Sequence, residues 1–147
     1  MIARNKKTSG SKSVLSKSNK RDALLYSFAR RVKRFMGLHG KFAILVTDNE
    51  TMRRLNHRFR KKNKPTDVLS FPATWSGHVG EIAISKQIAA ANAKKLGHPL
   101  EMELKVLVLH GLLHLAGHDH ETDDGLMAKK ELLLRRHFKL PVSLTER

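Results

Sequence analysis

The stretch HGLLHLAGHDH, residues 110–120, governs how the rest of the chain is read. On a helix, residues four apart lie on one face about one turn apart, so His110 and His114 can offer imidazoles to one ion. Gly117 stands where a helix end needs a residue free to turn left-handed, and it lets the chain double back. Three residues later His120 can close on the same point from the other side. Three neutral nitrogens with an open fourth position make the ligand count of a catalytic zinc site rather than a structural one. The expectation is one divalent ion, zinc by its ligands, on His110, His114 and His120. His118 is not counted among the ligands, because side chains two apart diverge.

The same spacing occurs in the metzincin peptidase pattern H-E-x-x-H-x-x-G-x-x-H, at every position but one. Where that pattern has its glutamate general base, this chain has Gly111. The metal frame is present and the peptidase base is missing. A base would have to be the metal-bound hydroxide, Asp119 or Glu121. Asp119 is a candidate to orient a histidine or help activate water, and equally a candidate to cap a turn.

Working outward, residues 100–116 are apolar nearly all round, as in a buried central helix. Pro99 suits its first position, and Glu101 and Glu103 suit its positive N-terminus. Upstream, Leu24, Leu25, Phe28, Val32, Phe35 and Met36 recur at helical spacing. Residues 42–46 read as a strand. Thr47 with Glu50 has the form of a capping box for a helix reaching about Phe59. Residues 60–67 form a basic loop, and 68–71 a short strand stopped by Pro72. Residues 79–84 read as a further strand, after which Ser85 caps an alanine-rich helix ending at Gly97. A last helix covers roughly 123–138. The order α-β-α-β-β-α-α-α describes an α+β domain whose metal helix is the best buried.

With 147 residues the chain has enough for one core and not two. It has no cysteine, which removes disulfides and thiolate ligands. No apolar run approaches the length of a membrane span. The charge is +16, from 29 Lys and Arg against 13 Asp and Glu. Residues 1–20 are Ser/Lys-rich without apolar periodicity and read as a disordered basic arm, with the folded domain at 21–147. Residues 1–21 hold seven of the basic residues and no acid, which leaves +9 on the remainder. The excess is therefore not just a tail, and it favours a polyanion, nucleic acid first.

Between Thr51 and Thr66 stand seven basic residues, Arg53, Arg54, Arg58, Arg60, Lys61, Lys62 and Lys64, and no acid. In a metalloprotein this reads as a phosphate-contacting rim, with Arg58, Arg60, Lys61, Lys62 and Lys64 as the substrate-binding set. Arg60 suits the role best, since a guanidinium fork can hold a phosphate by two hydrogen bonds. Asp67 is read as bracing its loop.

The stretch LNHRFRKKNKPTDVLSFP (55–72), with VGEIAIS (79–85) and HGLLHLAGHDH, resembles the YbeY family of metal-dependent endoribonucleases that mature ribosomal RNA. PTDVLSFP stands intact at 65–72, and the likeness covers about residues 43–138. It implies a zincin-like α+β domain with a small mixed sheet against the metal helix. It implies His110, His114 and His120 as ligands and Arg60 as a functional arginine. The implied activity is single-strand-specific cleavage in 16S rRNA 3′-end maturation and ribosome quality control, in the cytoplasm. The implied partners are rRNA and the small ribosomal subunit, with a small-subunit ribosomal protein and the Era GTPase, and no membrane. Three positions depart from the family pattern: Asn63 replaces an acid, Glu81 stands in the Gly-Asp-Ile segment, and His118 replaces a tyrosine.

The expected chemistry is hydrolysis of an RNA phosphodiester, with attack by a 2′-hydroxyl as the other route. Two rivals share features with it. A ribosome-assembly factor would use the same charge to bind RNA around a structural metal. A zincin-type metallopeptidase would share the histidine frame but need a base from elsewhere.

Overall fold

The computed structural model describes residues 12–119, 122 and 124–142, with side chains from Lys20 onward. Eight elements follow one another: α1 (Lys12–Phe35), β1 (Lys41–Thr47), α2 (Asn49–Arg60), β2 (Val68–Pro72), β3 (His78–Ser85), α3 (Lys86–Leu96), α4 (Leu100–Leu115) and α5 (Leu126–His137). The expected order holds.

The three strands form one mixed sheet in the order β1-β3-β2. β3 is central, parallel to β1 and antiparallel to β2, with Ile44 opposite Ile82 and Ser70 also opposite Ile82. Alternation along β3 sends Ile82 and Ile84 to one face and Ala83 to the other. The first face packs on a core built from α1, α4 and α5, around Phe28, Leu104, Leu107, Leu109, Leu112 and Met127. The second face receives α2, through Met52 and Leu55 against Leu69, Phe71 and Ala83. The sheet thus lies between α2 and α4.

α4 is sealed as expected, with Leu104, Val106, Val108, Leu109 and Leu112 all fully buried. Its start differs slightly. Pro99 is the N-cap in extended geometry, one residue ahead of the first helical position. Glu103 does not face solvent at the helix N-terminus: it is buried and takes a 2.7 Å contact from His98 Nε2.

Two further ends shift. β1 pairs with β3 as far as Thr47↔Ser85, so Thr47 is spent on the strand. Asp48 caps α2 in its place, accepting the Thr51 N–H at 2.8 Å. The last helix opens at Leu126 behind Gly125, later than the sequence pattern places it. Ser85 and Gly97 close the ends of α3 as expected.

In α1 the buried stripe is Leu25, Phe28, Ala29 and Val32, while Leu24 and Phe35 are exposed. Positions 25, 28, 29 and 32 keep the i, i+3, i+4, i+7 spacing, and Leu24 and Phe35 fall off it. The helix also begins at Lys12, inside the segment expected to be an unstructured arm. Once its packed half is nucleated, each further residue adds a hydrogen bond at little cost. Residues 1–11 lie outside the described residues. Tyr26 of α1 reaches the outer edge of β1, where its hydroxyl accepts the Ile44 N–H at 2.7 Å and donates to the Ile44 carbonyl at 3.3 Å. Among the described residues, no helix is long and apolar enough to cross a membrane.

Candidate metal centre and nucleic-acid rim

α4 ends where Gly117 turns left-handed at φ +95. The Gly117 N–H donates to the His114 carbonyl at 2.9 Å and the His118 N–H to Leu113 at 3.1 Å, the paired bonds of a Schellman end. This break comes three residues after the second histidine.

One turn of α4 brings His110 and His114 together, with Nε2 to Nε2 at 3.2 Å and rings inclined by 75°. Two nitrogens each ~2.05 Å from a tetrahedral zinc stand about 3.3 Å apart. The pair therefore has the separation that one ion requires. On the other side of the His110 ring, Nδ1 meets Glu131 Oε1 of α5 at 2.5 Å. Glu131 Oε2 in turn accepts from Arg135 Nη2 at 3.0 Å. With the proton on Nδ1, the Nε2 lone pair faces His114. The chemistry and separation of these two nitrogens fit a divalent ion, which His110 and His114 would hold. His120, and Glu121 beside it, lie outside the described residues.

Gly111 has a packing reason. A Cβ there would stand 3.0 and 3.1 Å from Ile82 side-chain carbons and 3.1 Å from Ser70 Oγ. Ser70 also donates its hydroxyl proton to the Gly111 carbonyl at 3.1 Å. The helix lies directly on β2 and β3 at this point, where a side chain at 111 would require Ile82 and Ser70 to shift by a few tenths of an ångström.

His118 is half-buried and its Nε2 accepts from Lys130 Nζ at 3.3 Å. Asp119 is exposed, and its carbonyl accepts the Thr122 N–H at 3.2 Å. Asp67 braces its loop as expected: a side-chain oxygen takes the Val68 N–H at 2.8 Å, and its carbonyl takes the Ser85 N–H at 2.9 Å.

The basic run sits on the other layer. Arg58 and Arg60 end α2, Lys61 caps it in the left-handed conformation at φ 60, and Lys62 and Lys64 follow, all exposed. Buried Asn56 fastens this loop by donating from Nδ2 to the Lys64 carbonyl at 2.8 Å. Glu50 engages Arg53 at 2.6 Å and Arg54 at 3.3 Å. The Arg53 hydrogen bond holds the Glu50 carboxyl down to about 2. Arg53 also donates to Asn63 Oδ1 at 2.5 Å, so the residue that departs from the family pattern is used within the rim.

Although the sheet separates α2 from α4, both helices end at the same end of it. Phe59 packs edge-on against Phe71 at 5.0 Å between centroids. Phe71 and Leu115 both crowd Gly80, where a Cβ would stand 2.5 Å from the Phe71 carbonyl oxygen and 2.7 Å from Leu115 Cδ2. The C-terminal ends of α2 and α4 thus flank the same end of edge strand β2.

Sequence reasoning missed Glu131 and Arg135. One signal was present: Glu131 is the sole acid between Gly125 and Val142, in a stretch otherwise rich in Lys and Arg.

Comparison with known proteins agrees with these motifs. The family model described as endoribonuclease YbeY matches residues 5–138. The endoribonuclease YbeY of Koribacter versatilis is 53% identical over 120 residues, covering 82% of this chain and 79% of that one. The one from Solibacter usitatus is 48% identical over 120 residues, covering 82% and 81%. Among solved structures, the solution structure of TM1509 from Thermotoga maritima superposes with a TM-score of 0.58 at 28% identity, covering 89% and 88% of the two chains. The intact motifs, the α+β fold and relatives matched over most of their length converge on one statement: this chain belongs to the YbeY family of endoribonucleases.

Proposed function

We propose that the chain cleaves single-stranded segments of ribosomal RNA by metal-assisted hydrolysis, in maturation of the 16S 3′ end and in ribosome quality control. The observation that carries this reading is the His110–His114 nitrogen pair, 3.2 Å apart, at the same end of the sheet as the exposed basic end of α2. His110, His114 and His120 would hold one divalent ion, zinc by the chemistry of three imidazoles. When bound, the ion supplies Lewis acidity and lowers the pKa of attacking water towards ~7.

The remaining work falls to the chain's own residues. Arg60 neutralises charge growing on the phosphate, and Arg58, Lys61, Lys62 and Lys64 hold the flanking backbone. No carboxylate projects from position 111, so the proton goes to the metal-bound hydroxide itself, to Asp119 or to Glu121, the two acids that flank the third histidine in sequence. The basic residues of 1–20 add electrostatic attraction for RNA without setting the cleavage position. The reading places the protein in the cytoplasm with the small ribosomal subunit, a small-subunit protein and the Era GTPase as partners.

The test is gel analysis of purified protein on 16S rRNA carrying its 3′ extension, with casein as a control. Cleavage that disappears on chelation and returns with zinc supports the reading. Tight RNA binding without cleavage under any divalent metal would instead make the protein an assembly factor.

A further inference from the structure

Glu131 and Arg135, which stand behind His110, belong to neither the histidine frame nor the basic rim. α5 is fixed to the core by Met127 and Leu134, both buried. Its Glu131 faces α4, 21 residues away in sequence, and meets His110 Nδ1 at 2.5 Å. Arg135, one turn on, is nearly buried and holds the second carboxylate oxygen at 3.0 Å. Arg135 Nη1 also donates to the Pro141 carbonyl at 3.4 Å, which ties the C-terminal strap to the same group. A long arginine taken out of water and shared in this way fixes where the carboxylate points.

We propose that Glu131, braced by Arg135, is the positioning residue for His110. It keeps the proton on Nδ1, orients the ring, and makes Nε2 a better donor to a divalent cation. An imidazole that donates its second N–H to a carboxylate is locked in one tautomer and is more basic at the other nitrogen, and loss of such a partner costs 10–100-fold in metal affinity. α5 thereby becomes part of the metal centre without touching the ion. This rests on the assignment of His110 and His114 as metal ligands.

The experiment titrates Zn2+ into metal-stripped protein against a chromogenic chelator and records melting of the metal-free forms. Glu131→Ala is expected to bind Zn2+ about 10–100-fold more weakly and, because buried Arg135 also loses this carboxylate, to melt lower when metal-free; the Zn2+ affinity of Glu131→Gln relative to it is the deciding readout. Glu131→Gln, whose carbonyl still accepts from Nδ1, should recover most of the affinity. Unchanged affinity in Glu131→Ala overturns the proposal. Equal losses of affinity in both variants also overturn it, since a group that only braces the fold would not be rescued by the glutamine's acceptor. If the unmodified protein and His110→Ala bind Zn2+ equally, the ligand assignment itself fails, an outcome distinct from failure at Glu131 alone.

Discussion

At the N-terminal end of α4, His98 meets Glu103 at 2.7 Å, and towards its C-terminal end His110 meets Glu131 at 2.5 Å. The chemistry is the same and the surroundings differ. The side chains of the first pair are 10% and 0% exposed, those of the second 29% and 19%. His98 presents Nε2 to its carboxylate, whereas His110 presents Nδ1 and keeps Nε2 for His114. The first pair spans five residues and fastens the α3–α4 turn. The second spans 21 and brings a distant helix to an open site. Under the proposed metal centre, burial and choice of ring nitrogen, more than the pairing itself, separate a latch from a working group.

The sharpest way to break this contrast is His114→Ala. It should lose most of its metal on dialysis, measured by elemental analysis, and reduce RNA cleavage to background. Stoichiometric metal in a protein lacking all three histidines, His120 included, would remove the working end altogether. Arg60→Ala tests whether the α2 terminus serves that same end: turnover should fall about 10²–10³-fold, ~3–4 kcal/mol, with RNA affinity little changed. Equal losses in binding and turnover would reduce Arg60 to a docking contact.

The latch end should respond in the opposite sense. His98→Ala takes from buried Glu103 its 2.7 Å partner, leaving the 3.5 Å contact from Asn92, and should cost roughly 1–3 kcal/mol in denaturant unfolding, with turnover per folded molecule intact. A matching loss of turnover would erase the distinction. Gly111→Glu, which restores the peptidase pattern on paper, should destabilise by roughly 1–3 kcal/mol through overpacking against Ile82 and Ser70, and confer no cleavage of casein.

The smallest effect belongs to Glu50. Its carboxyl is depressed from 4.5 to about 2 by the Arg53 hydrogen bond. A depressed acid stabilises the fold fully above its unfolded value and loses that contribution as pH falls from about 4.5 through 2. Glu50→Gln should flatten acid unfolding slightly in that window and nowhere else. An unaltered profile would mean that this solvent-facing pair contributes nothing.

How much was legible beforehand follows from the range of each interaction. The His110–His114 pair is written in one helical turn, and the end at Gly117 in the residues beside it. The α4 core and the Ser85 and Gly97 caps are equally local. Glu131 was not legible, because its pairing depends on how α5 packs across α4, and that is settled by Met127 and Leu134 far from the motif. The Thr47 box failed for a similar reason: β3 claimed Thr47 for the sheet and passed the cap to Asp48. Leu24 and Phe35 looked like core by type, yet the stripe that α4 selects runs through Ala29.

The hydroxyl of Tyr26 on Ile44 has a consequence for behaviour at high concentration. Along β1, Phe42, Ile44 and Val46 turn their backbone groups away from β3, and the middle one is already satisfied on both N–H and C=O. A neighbouring chain seeking to extend the sheet there meets a phenol where it needs an amide. β2, the other border, offers five residues and ends in proline. Intermolecular strand pairing, the common route to aggregates, is thereby confined to one short border.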